Sequence, residues 1–138
     1  MDSVTNTELV RRFFDEALNK GDWAALDRLV AEDYVEHELV PGLPPVRDSL
    51  KRKYDTLRTG CPDLRFTVEE LLAAGDRVAA RVTVQGTNTQ PFLGRPATGR
   101  AFVAAKHSLF RIAGGRIVEH WGVFDQLAML SQLGAGPQ

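Results

Sequence analysis

The chain has 138 residues, 43% of them hydrophobic and 25% charged, which suits a single domain over 1–138 that can bury a core without metal or disulfide staples. Its 17 basic and 18 acidic residues leave a net charge of −1, so neither nucleic acid nor an anionic membrane is expected as a partner. Cys61 is the lone cysteine and cannot form an internal disulfide, and no stretch nears the roughly 20 apolar residues of a membrane span. The opening Met1-Asp2-Ser3 lacks the charged and apolar regions of a secretory signal, so a cytoplasmic protein is expected.

Thr5-Asn6-Thr7-Glu8 fits a capping box, and Leu9, Val10, Phe13, Phe14, Ala17 and Leu18 then recur on one helical face. Gly21 ends this helix, and Asp22 can cap a short second one with Trp23, Leu26, Leu29 and Val30 inward. Tyr34 to Glu38 looks extended, and Val40 to Pro45 is a proline-rich loop. A third helix is predicted from about Val46 to Leu57, stopped by Gly60 and Pro62.

Beyond Pro62 the hydrophobic period changes from 3.6 to 2. Phe66 and Val68 precede a turn at Ala74-Gly75-Asp76-Arg77, and Val78, Ala80, Val82 and Val84 alternate after it. A loop from Asn88 to Gly99 leads to a long strand from Arg100 to Ile112, the Gly114-Gly115 turn, and a last strand from Arg116 to Phe124 before a short helix. Helices first and an antiparallel meander after them describe an α+β fold with helices on one face of a sheet.

An ideal two-residue turn at Gly114-Gly115 pairs Ile112 with Ile117, Phe110 with Glu119, Ser108 with Trp121 and Lys106 with Val123. Asp125 follows the alternation of that face, while His107, His120 and Phe124 fall on the other. One β-bulge exchanges the two faces. Both faces are largely apolar, so one is expected to line a pocket and the other to be buried in a homodimer.

Asp125 is the leading candidate for chemistry. An Asp just past Trp121, at a strand end, can sit in a partly apolar pocket where its pKa rises toward neutrality. The competing role is a cap on the last helix. His37, beside the proline-rich loop, and His107, mid-strand, are further candidates, and each has a structural alternative. His120 is expected to be structural or an interface residue. The three histidines show no metal-ligand spacing, and no phosphate- or nucleotide-binding motif is present, so neither metal nor cofactor is expected.

Several blocks carry a family resemblance: Asn19-Lys20-Gly21-Asp22-Trp23, Tyr34-Val35-Glu36-His37, Phe92 to Arg100, Leu109-Phe110-Arg111-Ile112, Gly115 to Trp121, Asp125, and Gln132-Leu133-Gly134. The chain resembles the SnoaL-like polyketide cyclases, within the nuclear transport factor 2-like and ketosteroid isomerase-like superfamily. The resemblance implies a cone-shaped α+β fold, in which a curved antiparallel sheet encloses a pocket closed by N-terminal helices. It also implies cofactor-independent ring closure of an apolar carbonyl substrate by an aldol step, with Asp125 as base and His37 and His107 as helpers. Trp121, Tyr34, Phe14 and Ser108 are the expected substrate contacts. The alternatives are an epoxide hydrolase of the same fold and a non-catalytic small-molecule binding or dimerisation module.

Overall fold

The computed structural model describes residues 3–134; Met1 and Asp2, on which the expectation about a leader rests, lie outside the described residues. The elements are α1 (Ser3–Arg12), a π-helical turn (Phe13–Leu18), α2 (Trp23–Leu29), β1 (Val30–Glu36), α3 (Arg47–Gly60), β2 (Arg65–Ala74), β3 (Arg77–Thr87), β4 (Ala101–Ala113), β5 (Arg116–Phe124) and α4 (Gln126–Leu133). No helix among the described residues is long and apolar enough to cross a membrane.

The first helix already includes Thr5 within its run from Ser3, so Thr5 is not its N-cap. It ends in a wide turn, where the Asn19 N–H reaches back five residues to the Phe14 carbonyl at 2.9 Å. The wide turn keeps Phe13, Phe14, Ala17 and Leu18 all buried. Asn19 then clips the helix to the edge strand β2: its amide donates to the Phe66 carbonyl at 2.8 Å, and its carbonyl accepts from the Phe66 N–H at 2.7 Å. Asp22 caps α2 as the sequence indicates, accepting from Ala25 N–H at 3.0 Å.

The sheet is five-stranded, in the order β1-β5-β4-β3-β2, curved and open. β2 to β5 form the expected antiparallel meander. β1 departs from that expectation, because it pairs parallel to β5. Tight hairpins force neighbouring strands antiparallel, whereas β1 reaches the meander only through α3 and is free of that constraint. The parallel register places Glu36 opposite His120.

The helices cover one face of this sheet. Val78, Ala80, Val82, Val84, Phe102, Phe110, Ile112 and Ile117 point into the core, against Phe13, Phe14, Leu18, Leu26, Leu50 and Tyr54. Phe110 meets Phe13 and Phe14 edge-on, with ring centroids 5.5 and 5.8 Å apart. The opposite face is open, and Leu72, Val103 and Val123 stand 63%, 56% and 73% exposed on it. Beyond the end of β5, α4 takes over as the neighbour of β4. The Gln132 side chain bonds both backbone groups of Val103, at 2.8 and 2.9 Å, in place of a strand partner.

Candidate active site in the sheet's inner face

The β4–β5 hairpin starts in the expected register, with Ala113 opposite Arg116 and Ile112 opposite Ile117. Val118 is then left out as a bulge, and pairing resumes with Arg111 opposite Glu119 and Phe110 opposite His120. One inserted residue moves every later side chain of β5 to the other face. His120 therefore enters the core beside Ser108, and Trp121 leaves it, the reverse of the ideal-turn expectation. Ser108 and Lys106 face inward and are buried. Gly122, which follows on the inner side, has no side chain to fill the space. A Cβ there would lie 2.6 Å from His120 Cε1 and 2.9 Å from Glu38 Oε1.

β1 delivers the acidic partners. Tyr34 is buried, so period two carries Glu36 inward with it and His37 outward. Glu36 accepts three hydrogen bonds: from the Tyr34 hydroxyl at 2.6 Å, the Glu38 N–H at 3.1 Å and His120 Nδ1 at 2.5 Å. An ionised carboxylate only accepts, so the His120 proton sits on Nδ1, and Nε2 is left to accept from the Ser108 hydroxyl at 2.9 Å. Burial pushes His120 below its ordinary pKa, more than Glu36 raises it, so the ring is a neutral imidazole. Burial alone would raise Glu36, yet the hydrogen bonds from His120, the Tyr34 hydroxyl and the Glu38 N–H hold it below the usual carboxylate range. Tyr34 is pushed upward by burial and by the adjacent Glu36 charge.

Next to this dyad stands a second charged cluster. Lys106 Nζ donates to Glu38 Oε1 at 2.6 Å, and Lys53 Nζ lies 3.4 Å from the same oxygen. Burial opposes ionisation of Glu38, but the two ammonium groups bring its pKa down to about 2. Lys53 is held above its ordinary value: burial works against it and is outweighed by Tyr54, Glu38 and Glu36. Lys53, Glu38 and Lys106 form the polar end of a cavity of about 230 Å³, whose remaining wall is mostly apolar, with Leu43, Leu57, Phe66, Phe92, Phe124 and Met129 beside Thr56 and Gln126. Lys106 and Tyr54 also border the narrow space around Tyr34, Glu36 and His120, so they separate the cavity from the dyad.

Glu36, Glu38 and His120 bring possible ligand atoms within 4.8 Å of one another. Each atom already has a proton donor or acceptor, and Lys106 occupies the position facing Glu38 that a cation would take. That donor set fits proton transfer better than metal binding.

The residues singled out from the sequence are divided between two faces. Tyr34 and Ser108 belong to the inner network, and Phe14 lies under it in the core. His37, His107 and Trp121 are on the outer face. There the His37 ring stacks on Trp121 with centroids 4.8 Å apart and bonds Glu119 at 2.7 Å. The Arg77 guanidinium lies 4.9 Å from the Trp121 ring, and Arg111 bonds Glu119 at 2.7 Å. Arg111 first, and then His37, hold the Glu119 carboxyl below its ordinary range. Asp125 is exposed, and its carboxylate accepts from the Ala128 N–H at 3.0 Å as the N-cap of α4. It lies along an open groove with His107 and Val123, not along the inner cavity. Glu36, Glu38, Lys53 and Lys106 were not anticipated as a site. The signal for the first two was Tyr34 itself, since an inward Tyr34 sets Glu36 and Glu38 inward as well.

A model of the SnoaL-like polyketide cyclase family matches residues 8–133. Among solved structures, TsrD from Streptomyces laurentii is similar at 30% identity and TM-score 0.86, over 98% of each chain. IdmH from Streptomyces antibioticus, a proposed polyketide cyclase, is similar at 35% identity and TM-score 0.83, over 94% of this chain and 98% of its own. AclR from Streptomyces galilaeus, a proposed hydroxylase, is similar at 25% identity and TM-score 0.84, over 99% of this chain and 85% of its own. No curated protein sequence matches. The matched span and the shared fold place the chain in one family: it belongs to the SnoaL-like polyketide cyclases.

Proposed function

We propose that the protein is a cyclase that closes a ring by an intramolecular aldol step on an apolar carbonyl substrate, with His120 as the base. The observation that carries this reading is the Glu36–His120–Ser108 chain behind an apolar cavity. A neutral imidazole with its Nδ1 proton fixed on a carboxylate presents a basic Nε2, the arrangement that general base catalysis needs. Nε2 takes a proton from the carbon next to one carbonyl once the Ser108 hydroxyl turns aside and the Lys106 and Tyr54 side chains, which stand between the dyad and the cavity, move apart. The resulting enolate carbon attacks the second carbonyl and forms the C–C bond. The new alkoxide recovers the proton from the imidazolium, so the base ends as it began. Glu36 stabilises the transient imidazolium, and the apolar wall keeps water from competing.

The test is ring closure of heptane-2,6-dione to 3-hydroxy-3-methylcyclohexanone, followed by absorbance of the 3-methylcyclohex-2-enone that this aldol gives when it loses water on acid treatment of the quenched sample. Protein-dependent ring closure that is lost in His120→Gln supports the reading. Closure at the uncatalysed rate with wild-type protein contradicts it.

The open outer face carries a second part of the proposal, a homodimer. Leu72, Val103 and Val123 are too exposed there for a sheet face left in water.

A further inference from the structure

We propose that the cavity takes a ligand with an apolar body and one anionic oxygen group, a carboxylate or an equally acidic oxyanion, held between Lys53 and Lys106. This deepens the cyclase reading by assigning the charge of the substrate, and it concerns the same cavity.

Two ammonium groups converge there on a single carboxylate oxygen, Glu38 Oε1. The Lys106 side chain is 4% exposed and the Lys53 side chain 18% exposed, and both line the cavity. An ammonium has three protons to give, and the hydrogen bond found for Lys106 Nζ uses one of them. Burying an ammonium so deeply is costly unless its charge and its donors are matched. Glu38 and Glu36 together match the two lysine charges, but only Glu38 gives the ammonium groups an acceptor. Glu36, the other acid nearby, is committed to Tyr34, His120 and the Glu38 amide. The rest of the wall offers apolar surface from Leu57, Phe66, Phe92 and Met129. A ligand anion supplies the further acceptors that the two ammonium groups lack, while its hydrocarbon part fills the apolar end.

The pair 2-naphthoate and methyl 2-naphthoate separates charge from shape, since both present the same rings. Titration calorimetry of the intact protein is expected to show the acid binding at least about tenfold tighter than the ester, the worth of one close charge pair. Lys106→Met and Lys53→Met each remove most of that preference and leave the ester affinity unchanged. Lys106→Met exposes Glu38 to burial without its partner, so the double variant Lys106→Met/Glu38→Gln, checked by circular dichroism, repeats the comparison with a neutral pair. Glu38→Gln alone removes the competing carboxylate and tightens the acid. Ester binding as tight as acid, acid affinity in the folded double variant equal to that of Glu38→Gln, or no binding of the acid by wild-type protein overturns the proposal. Turnover of heptane-2,6-dione reads the catalytic proposal and the ratio of acid to ester affinity reads this one, so the two fail separately.

Discussion

His120 Nδ1 lies 2.5 Å from Glu36 Oε2, across 84 positions of sequence. The contact exists because β1 runs parallel to β5 and sets these two residues as register partners. Glu36 fixes the tautomer of the ring, so in the proposed reaction it acts through His120 and not on the substrate. Glu36→Gln is expected to slow ring closure by roughly 10²–10⁴-fold, with little change in KM. Steady-state kinetics on heptane-2,6-dione measure the split, and a change confined to KM would assign Glu36 to binding instead.

Acid should act on both activity and stability. The folded-state pKa of His120 is below its ordinary value, and that of Glu38 is down to about 2. Both groups bind protons more readily when unfolded, so their contributions are present at neutral pH and are lost as pH falls. The His120 contribution starts to fall below about 6.5, and that of Glu38 between about 4.5 and 2, the latter on the order of 1–3 kcal/mol. Urea unfolding at pH 7, 5 and 3.5 is expected to show stability decreasing stepwise. The rate should fall on an acid limb whose apparent pKa is below the ordinary histidine value.

Asp125 has a structural task that can be measured. Asp125→Ala removes the cap on α4 and should cost about 1 kcal/mol in chemical denaturation. Asp125→Ser, which still caps, should recover most of it.

Gly122 sits where a methyl group would collide with the dyad. Its Cβ would meet His120 Nε2 at 2.8 Å and Glu38 Oε1 at 2.9 Å. Gly122→Ala is expected to destabilise the fold by about 1–3 kcal/mol through overpacking. It should also lower the rate more than the fraction of unfolded protein explains, because the ring and carboxylate must both move. Thermal unfolding and turnover on the same sample separate the two effects.

The outer face gives a test of assembly. Val123 is 73% exposed in the single chain and shares an open groove with Leu72, Leu109 and Trp121 as well as Glu70, Arg81 and His107. The proposed homodimer should fall to monomers in Val123→Glu by light scattering, while circular dichroism stays unchanged. A wild-type monomer at micromolar concentration would contradict the assembly.

Much of the fold was legible from local pattern. Turn residues at Gly75-Asp76 and Gly114-Gly115, the cap Asp22 and period-two alternation from Val78 to Val84 each act within a few residues, and each is where the sequence indicates. The faces of β5 were not legible, because the Val118 bulge leaves no mark in composition yet reverses His120 and Trp121. The parallel pairing of β1 was equally hidden, since its direction is set by the path through α3 and not by a turn. These two features together build the inner site, which is why Glu36 and His120 were not paired from sequence. The Gln132-Leu133-Gly134 block, by contrast, has a purely structural account: a clamp on Val103, a buried core leucine and a left-handed helix end.

The most direct measurement compares ring closure of heptane-2,6-dione by His120→Gln and Asp125→Asn, each at a temperature where circular dichroism shows it folded. With His120 as the base, His120→Gln loses at least about 100-fold in rate and Asp125→Asn stays within a few-fold of wild type. The opposite order, with Asp125→Asn inactive and His120→Gln near normal, would contradict the account.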